Sequence, residues 1–178
     1  MSNGAYPWWR PTTGYTPEEF QRIQEGARTI PVFQSYNMSI GVALLARLVG
    51  QAAAIFGGCD VEIVEAHHNR KADAPSGTAL LLADAVKARR PDAAYVFGRA
   101  GHHPPANEIG IHSLRMGNVV GEHEVIFATD NQTITLKHQA HDRALFAEGP
   151  WPRRIFSRGS RRGCITWRTC WDRERREK

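Results

Sequence analysis

Two imidazoles, a guanidinium and an ammonium fall within five consecutive positions, His67-His68-Asn69-Arg70-Lys71, and shortly afterwards Ser76-Gly77-Thr78 opens what reads as a helix. Imidazole titrates near neutrality, and a lysine taken out of water releases its proton more readily, so this cluster can give and take protons at neutral pH. Ser76 is a good N-cap, and Pro75 stops any earlier start. Ala79 to Arg90 is rich in Ala and Leu, with basic residues in its last turn. The N–H groups of Gly77 and Thr78 would point out of the helix N-terminus, where an anion is stabilised. Proton donors beside an anion seat suit acid-base work on a small acid. Against this stands the plainer account that a capped strand-loop-helix junction is usually architecture and a single His usually a satisfied polar residue. The crowding of His67, His68 and Lys71 at one such junction weighs the other way.

The elements that must position this cluster can be read from local pattern. Asp60-Val61-Glu62-Ile63-Val64 alternates β-branched residues with acids and predicts a strand leading into the basic loop. Thr16-Pro17-Glu18-Glu19 reads as an N-cap, Pro at the first helical position and acids in the first turn, predicting a helix from about 17 to 28. Ile30-Pro31-Val32-Phe33 predicts a short strand, edge or terminal because of Pro31. Asn37 and Ser39 lead into a helix over Ile40 to Phe56, with Leu44, Leu45, Leu48 and Val49 expected in the core. Residues 99–109 read as a loop, and 109–140 as strands, with a hairpin at Asp130-Asn131. A short helix is expected over Asp142 to Glu148. His102-His103 could suggest a metal site, but no acid or thiol stands at ligand spacing, so no metal is expected.

Composition bounds the rest. The chain has 178 residues, 42% of them hydrophobic, enough for one core of ordinary globular composition. No 18-residue apolar run and no basic-then-apolar leader is present, and the three cysteines have no metal-type spacing, so a cytoplasmic protein with no membrane partner is expected. Residues 150–178 hold 10 of the 23 basic and 3 of the 18 acidic residues, a net +7, which leaves the remainder at −2. The body is therefore acidic, which argues against a nucleic-acid partner.

The run Glu65-Ala66-His67-His68, then Lys71, then Asp73-Ala74-Pro75-Ser76-Gly77-Thr78-Ala79, resembles the signature of the dihydrodipicolinate reductase (4-hydroxy-tetrahydrodipicolinate reductase) family. Thr12-Thr13-Gly14, Asn37-Met38-Ser39-Ile40-Gly41-Val42, Arg115-Met116-Gly117, Gly121-Glu122-His123 and Phe146-Ala147 extend the resemblance over about residues 12–149. It implies an oxidoreductase of lysine and diaminopimelate biosynthesis, in which NADH or NADPH reduces 4-hydroxy-tetrahydrodipicolinate to tetrahydrodipicolinate. By the same resemblance His67 is the catalytic proton donor or acceptor and Lys71 a second proton donor. His68, Gly77 and Thr78 would contact the cyclic dicarboxylate, and Thr12, Thr13, Ser35, Tyr36, Asn37 and Met38 would line the nicotinamide.

The implied fold is α+β: an open mixed β-sheet with flanking helices that builds a homotetramer. Residues 37–149 would form this substrate-binding and oligomerisation domain, and 1–36 a remnant of the α/β Rossmann dinucleotide-binding domain. No Gly-rich phosphate turn occurs there, and Pro11 stands where the family pattern has Gly. Residues 150–178 show no apolar period and are expected to be disordered. One possible back-translation of 163–172, read in a shifted frame, gives Leu-Tyr-Asn-Met-Glu-Asp-Val-Leu-Gly, which resembles the family's usual end. Frame-shifted termini, 1–11 and 150–178, and impaired turnover are the matching expectations. The alternative is a non-enzymatic dicarboxylate-binding or assembly module.

Overall fold

In the computed structural model, which describes residues 8–10, 15–35, 37–102, 104–146 and 163–165, the chain divides into two units. One comprises Met1–Met38 with Gly149–Lys178, the other Ser39–Glu148. In the first unit β1 (Trp8–Arg10) runs parallel to β2 (Pro31–Gln34), with α1 (Pro17–Ala27) between them in sequence. Thr16 caps α1, as the Thr-Pro-Glu-Glu run predicts, and Glu19 closes a reciprocal box with it. Ile23, Ala27 and Val32 form its small apolar cluster.

The second unit begins with Ser39, whose Oγ accepts the Val42 N–H at 3.3 Å and so caps α2 (Ile40–Ile55). After α2 come β3 (Asp60–His67), α3 (Gly77–Lys87), β4 (Ala94–Phe97), β5 (Glu108–Arg115), β6 (Gly121–Thr129) and β7 (Gln132–Ala140). A single 3-10 turn over Arg143–Phe146 stands where a short helix was expected. The strands form one mixed sheet in the order β4-β5-β3-β6-β7, parallel from β4 to β3 and antiparallel from β3 to β7. The β6–β7 hairpin turns at Asp130-Asn131, where the sequence places it. Helices α2 and α3 pack on one face of the sheet. There Ile63, Ile109, Leu82 and Phe127 are almost wholly buried, each contributing about 1.5–3 kcal/mol. The α+β class and the open mixed sheet are as expected. Among the described residues no helix is long and apolar enough to cross a membrane.

Local pattern misplaces several features. Strand β3 runs on past Val64 through His67, so the first residues of the basic motif are strand rather than loop. Strand β4 was not anticipated. Leu44 and Leu48, expected in the core, are exposed together with Ile40 and Ile55. Leu45 and Val49 face inward as expected, together with Val42 and Ala53, because α2 buries one side only. Arg47 and Gln51 fall at helical spacing with Leu44, Leu48 and Ile55 and mark the outer side. Strand β2 is central, not an edge: Gly163–Ile165 (β8) pairs with it in parallel on the side away from β1. Pro31 is tolerated as the first residue of the strand. Gly163–Ile165 thus supplies a strand partner for β2 from within residues 150–178. The rest of 147–178 lies outside the described residues.

Candidate functional site

Side chains two apart on a strand share a face. On β3 this places Val61, Ile63, Glu65 and His67 together on the side covered by the helices, and all four are buried. The carboxylate and the imidazole therefore meet: His67 Nδ1 donates to Glu65 Oε2 at 2.6 Å. The parallel register of β3 with β5 sets Ser113 beside Glu65 and Arg115 beside His67. Arg115 Nη1 donates to Glu65 Oε2 at 2.9 Å and Nη2 to Oε1 at 2.7 Å, a bidentate clamp. A further donor is the Ser76 N–H, 3.0 Å from Glu65 Oε1. Burial pushes the fully enclosed Glu65 carboxyl up. The hydrogen bonds from His67, Arg115, Ser113 and Ser76 outweigh it, holding the group far below the usual carboxylate range.

Ser76 joins this carboxylate to the helix. Its Oγ accepts the Ala79 N–H at 3.2 Å, capping α3, whose first two residues are Gly77 and Thr78. The same oxygen lies in a 3.0 Å hydrogen bond with Nε2 of His123. His123 stands opposite Glu65 on β6, and its ring meets that of His67 edge-on at 5.1 Å. Burial, then the charge of His67, lowers the His123 pKa to about 3, so this imidazole is neutral at any ordinary pH. Beside it Gly121 leaves room for the catalytic candidate, since a Cβ there would sit 3.1 Å from His67 Nε2.

The basic loop is clasped from both ends. Met116 N–H donates to His67 O at 2.9 Å, Asn69 N–H to Gly117 O at 3.2 Å, and Arg70 Nη2 to Asn118 Oδ1 at 2.7 Å. Lys71 Nζ bonds both Asp73 carboxylate oxygens, at 2.7 and 2.8 Å, and Arg115 Nη2 reaches the Asp73 carbonyl at 2.7 Å. One guanidinium thus ties the carboxylate behind His67 to the loop that carries Lys71. His68 keeps Nδ1 buried without a partner. Desolvation, then the cations Arg143, Arg70 and Lys71 and the neighbouring His67, lower its pKa.

His67, Gly77 and Thr78 are accordingly gathered around Glu65 and Ser76, with Lys71 joined through Asp73 and Arg115. Of the cofactor candidates, Thr12, Thr13 and Tyr36 lie outside the described residues. Ser35 forms a local turn, its Oγ donating to Asn37 O at 2.7 Å and accepting the Asn37 N–H at 3.3 Å, and Met38 is buried. Ser35, Asn37 and Met38, the described three of the six, carry no charged group for a phosphate, so they alone do not grip a whole dinucleotide. Glu65, Ser76, Arg115 and His123 were missed as site residues. Glu65 had a signal, being an acid at a buried register position of β3. Arg115 and His123 depend on strand pairing that no local pattern reveals.

A sequence profile described as dihydrodipicolinate reductase, C-terminus, matches residues 41–164. The chain is 46% identical over 158 residues to the 4-hydroxy-tetrahydrodipicolinate reductase of Caldanaerobacter subterraneus subsp. tengcongensis, covering 87% of this chain and 63% of the relative. It is 48% identical over 140 residues to that of an Exiguobacterium species, covering 78% and 56%. The chain thus spans about three fifths of the length of these relatives. Among solved structures, dipicolinate-bound dihydrodipicolinate reductase from Paenisporosarcina sp. TG-14 superposes with a TM-score of 0.68 at 28% identity, over 90% of this chain and 62% of that one.

Proposed function

The chain belongs to the dihydrodipicolinate reductase family, and from that premise we propose that Ser39–Glu148 binds a cyclic dicarboxylate and supplies protons for its reduction. The observation that carries this reading is the single buried carboxylate of Glu65. It holds the imidazole of His67 by one oxygen and the N-cap of α3 by the other. A base and an anion-stabilising helix end are thereby fixed side by side. One ligand carboxylate would sit against the N–H groups of Gly77 and Thr78, where the helix dipole favours negative charge. Lys71 would exchange the Asp73 carboxylate for that of the ligand, an anion-for-anion swap that keeps its ammonium paired. His68 flanks the same loop. His67 then holds or moves a proton at Nε2, the nitrogen that faces Gly121.

The hydride donor in this reading is NADH or NADPH, and the 4-hydroxy-tetrahydrodipicolinate reductase activity belongs to the whole protein. For Ser39–Glu148 by itself we propose ligand binding with negligible turnover, because hydride transfer requires a held nicotinamide. The reading includes a cytoplasmic location. It also includes a homo-oligomer formed through the sheet face opposite α2 and α3. There Val64, Leu114 and Ile126 lie between charged groups, and Leu114 is exposed.

Calorimetry with pyridine-2,6-dicarboxylate tests the site. Lys71→Ala is expected to weaken binding by about 1.5–3 kcal/mol, the range for a charge-assisted hydrogen bond. Equal affinity in the two proteins removes Lys71 from the site. No binding by the unaltered chain overturns the reading.

A further inference from the structure

Among the described residues, Glu65 is the one group that touches every part of the site's frame: His67 on its own strand, Arg115 on β5 and Ser76 at the start of α3. A carboxylate only accepts hydrogen bonds, so the 2.6 Å contact requires the proton on His67 Nδ1. Nδ1 is thereby committed, and the chemistry falls to Nε2, in the space that Gly121 leaves open. We infer that Glu65 is a positioning residue that fixes both the tautomer of His67 and its placement relative to the N-terminus of α3, with Arg115 as the clamp that holds the carboxylate. The inference deepens the proposed function, on which its ligand-binding consequence rests; its tautomer consequence stands apart from it.

Three features support the assignment. Both oxygens of Glu65 are used, so the carboxylate cannot rotate away from His67 without breaking its bonds to Ser76 and Arg115. Arg115 Nη2 is itself anchored on the Asp73 carbonyl, so the clamp is fixed at its far side. His123, the other imidazole in contact, bonds to Ser76 and leaves Nδ1 of His67 to Glu65 alone.

The test is nitrogen-detected NMR of the whole chain labelled with [15N]histidine, with pyridine-2,6-dicarboxylate titrations alongside. The unaltered chain is expected to show neutral His67 as the Nδ1–H tautomer. A His67 protonated on Nε2 alone overturns the inference with no variant needed. In Glu65→Gln the amide can donate as well as accept, so the Nδ1–H preference should disappear and dicarboxylate affinity should fall about tenfold, the size of one lost hydrogen bond. Glu62→Gln, on the opposite face of the same strand, should leave the His67 signals in place. A Glu65→Gln protein that keeps both tautomer and affinity refutes the positioning role and leaves the proposed function intact. An unaltered chain that shows the tautomer but does not bind dicarboxylate refutes the proposed function and leaves the positioning role standing.

Discussion

Strand β3 carries the same chemistry on its two faces. Outward, Glu62 takes His112 Nε2 at 2.7 Å and Arg99 Nη2 at 2.6 Å, and Arg99 also pairs with Glu108. Inward, three residues later, Glu65 takes His67 and Arg115 at nearly the same distances. Residue types therefore do not make the site. The Glu62 side chain is 31% exposed and that of Glu65 0%, and only Glu65 reaches a helix N-terminus. Water can replace any partner of Glu62, whereas nothing replaces a partner of Glu65. An acid, a His and an Arg form a surface network on one face and a pre-organised frame on the other because burial makes each missing bond costly.

The largest expected effect follows directly. Glu65→Ala leaves Arg115 without its carboxylate in a mostly buried place and should cost about 3–5 kcal/mol of stability, whereas Glu62→Ala should cost about 0–1 kcal/mol. Urea denaturation of the two variants checks this, and equal losses would break the contrast between the faces.

Acid should act on the inner face first. His123 is depressed in the folded state to about 3, so between pH 6.5 and 3 the unfolded chain binds a proton that the folded chain does not. Stability is then lost as pH falls through that window, at up to about 1.4 kcal/mol per pH unit. Glu65, also depressed, adds its loss only below about pH 4.5. His123→Gln should make the upper part of the acid limb shallower between pH 6.5 and 4.5, the remaining slope coming from His68 and His138, whose pKa values are also lowered in the folded state. An unchanged limb would show that the inner histidine is not what titrates.

The smallest effects come from two glycines that leave room for these groups. A Cβ at Gly121 would press on His67 Nε2 at 3.1 Å, and Gly121→Ala should reduce dicarboxylate affinity severalfold at most, about 1 kcal/mol. A Cβ at Gly110 would overlap the Glu62 carboxylate. That group can swing into solvent, so Gly110→Ala should change stability by under about 1 kcal/mol and leave binding unaltered. A binding defect in Gly110→Ala would mean that the two faces communicate.

What was legible in the sequence is what depends on near neighbours. The caps at Thr16, Ser39 and Ser76, the hairpin at Asp130-Asn131 and the basic loop each have their determinants within a few residues. The alternation of β3 was legible as well, but ending the strand at Val64 put Glu65 and His67 in a loop and hid that they share a face. Continuing the period of two would have joined them. Arg115 and His123 reach Glu65 only through the register of β5 and β6, which is decided by sheet assembly and not by their own surroundings.

Arg115 stands 50 positions beyond Glu65, across the parallel β3–β5 crossover. Parallel pairing of distant segments is slow, because the chain between them must be closed before any contact rewards it. A folding chain that has made β3 and α3 but not docked β5 has the basic loop in place and a Glu65 carboxylate without its clamp. Competence for the dicarboxylate should then appear once β5 has docked, not with helix formation, and ligand present during refolding would draw the chain through that step by binding only its finished form.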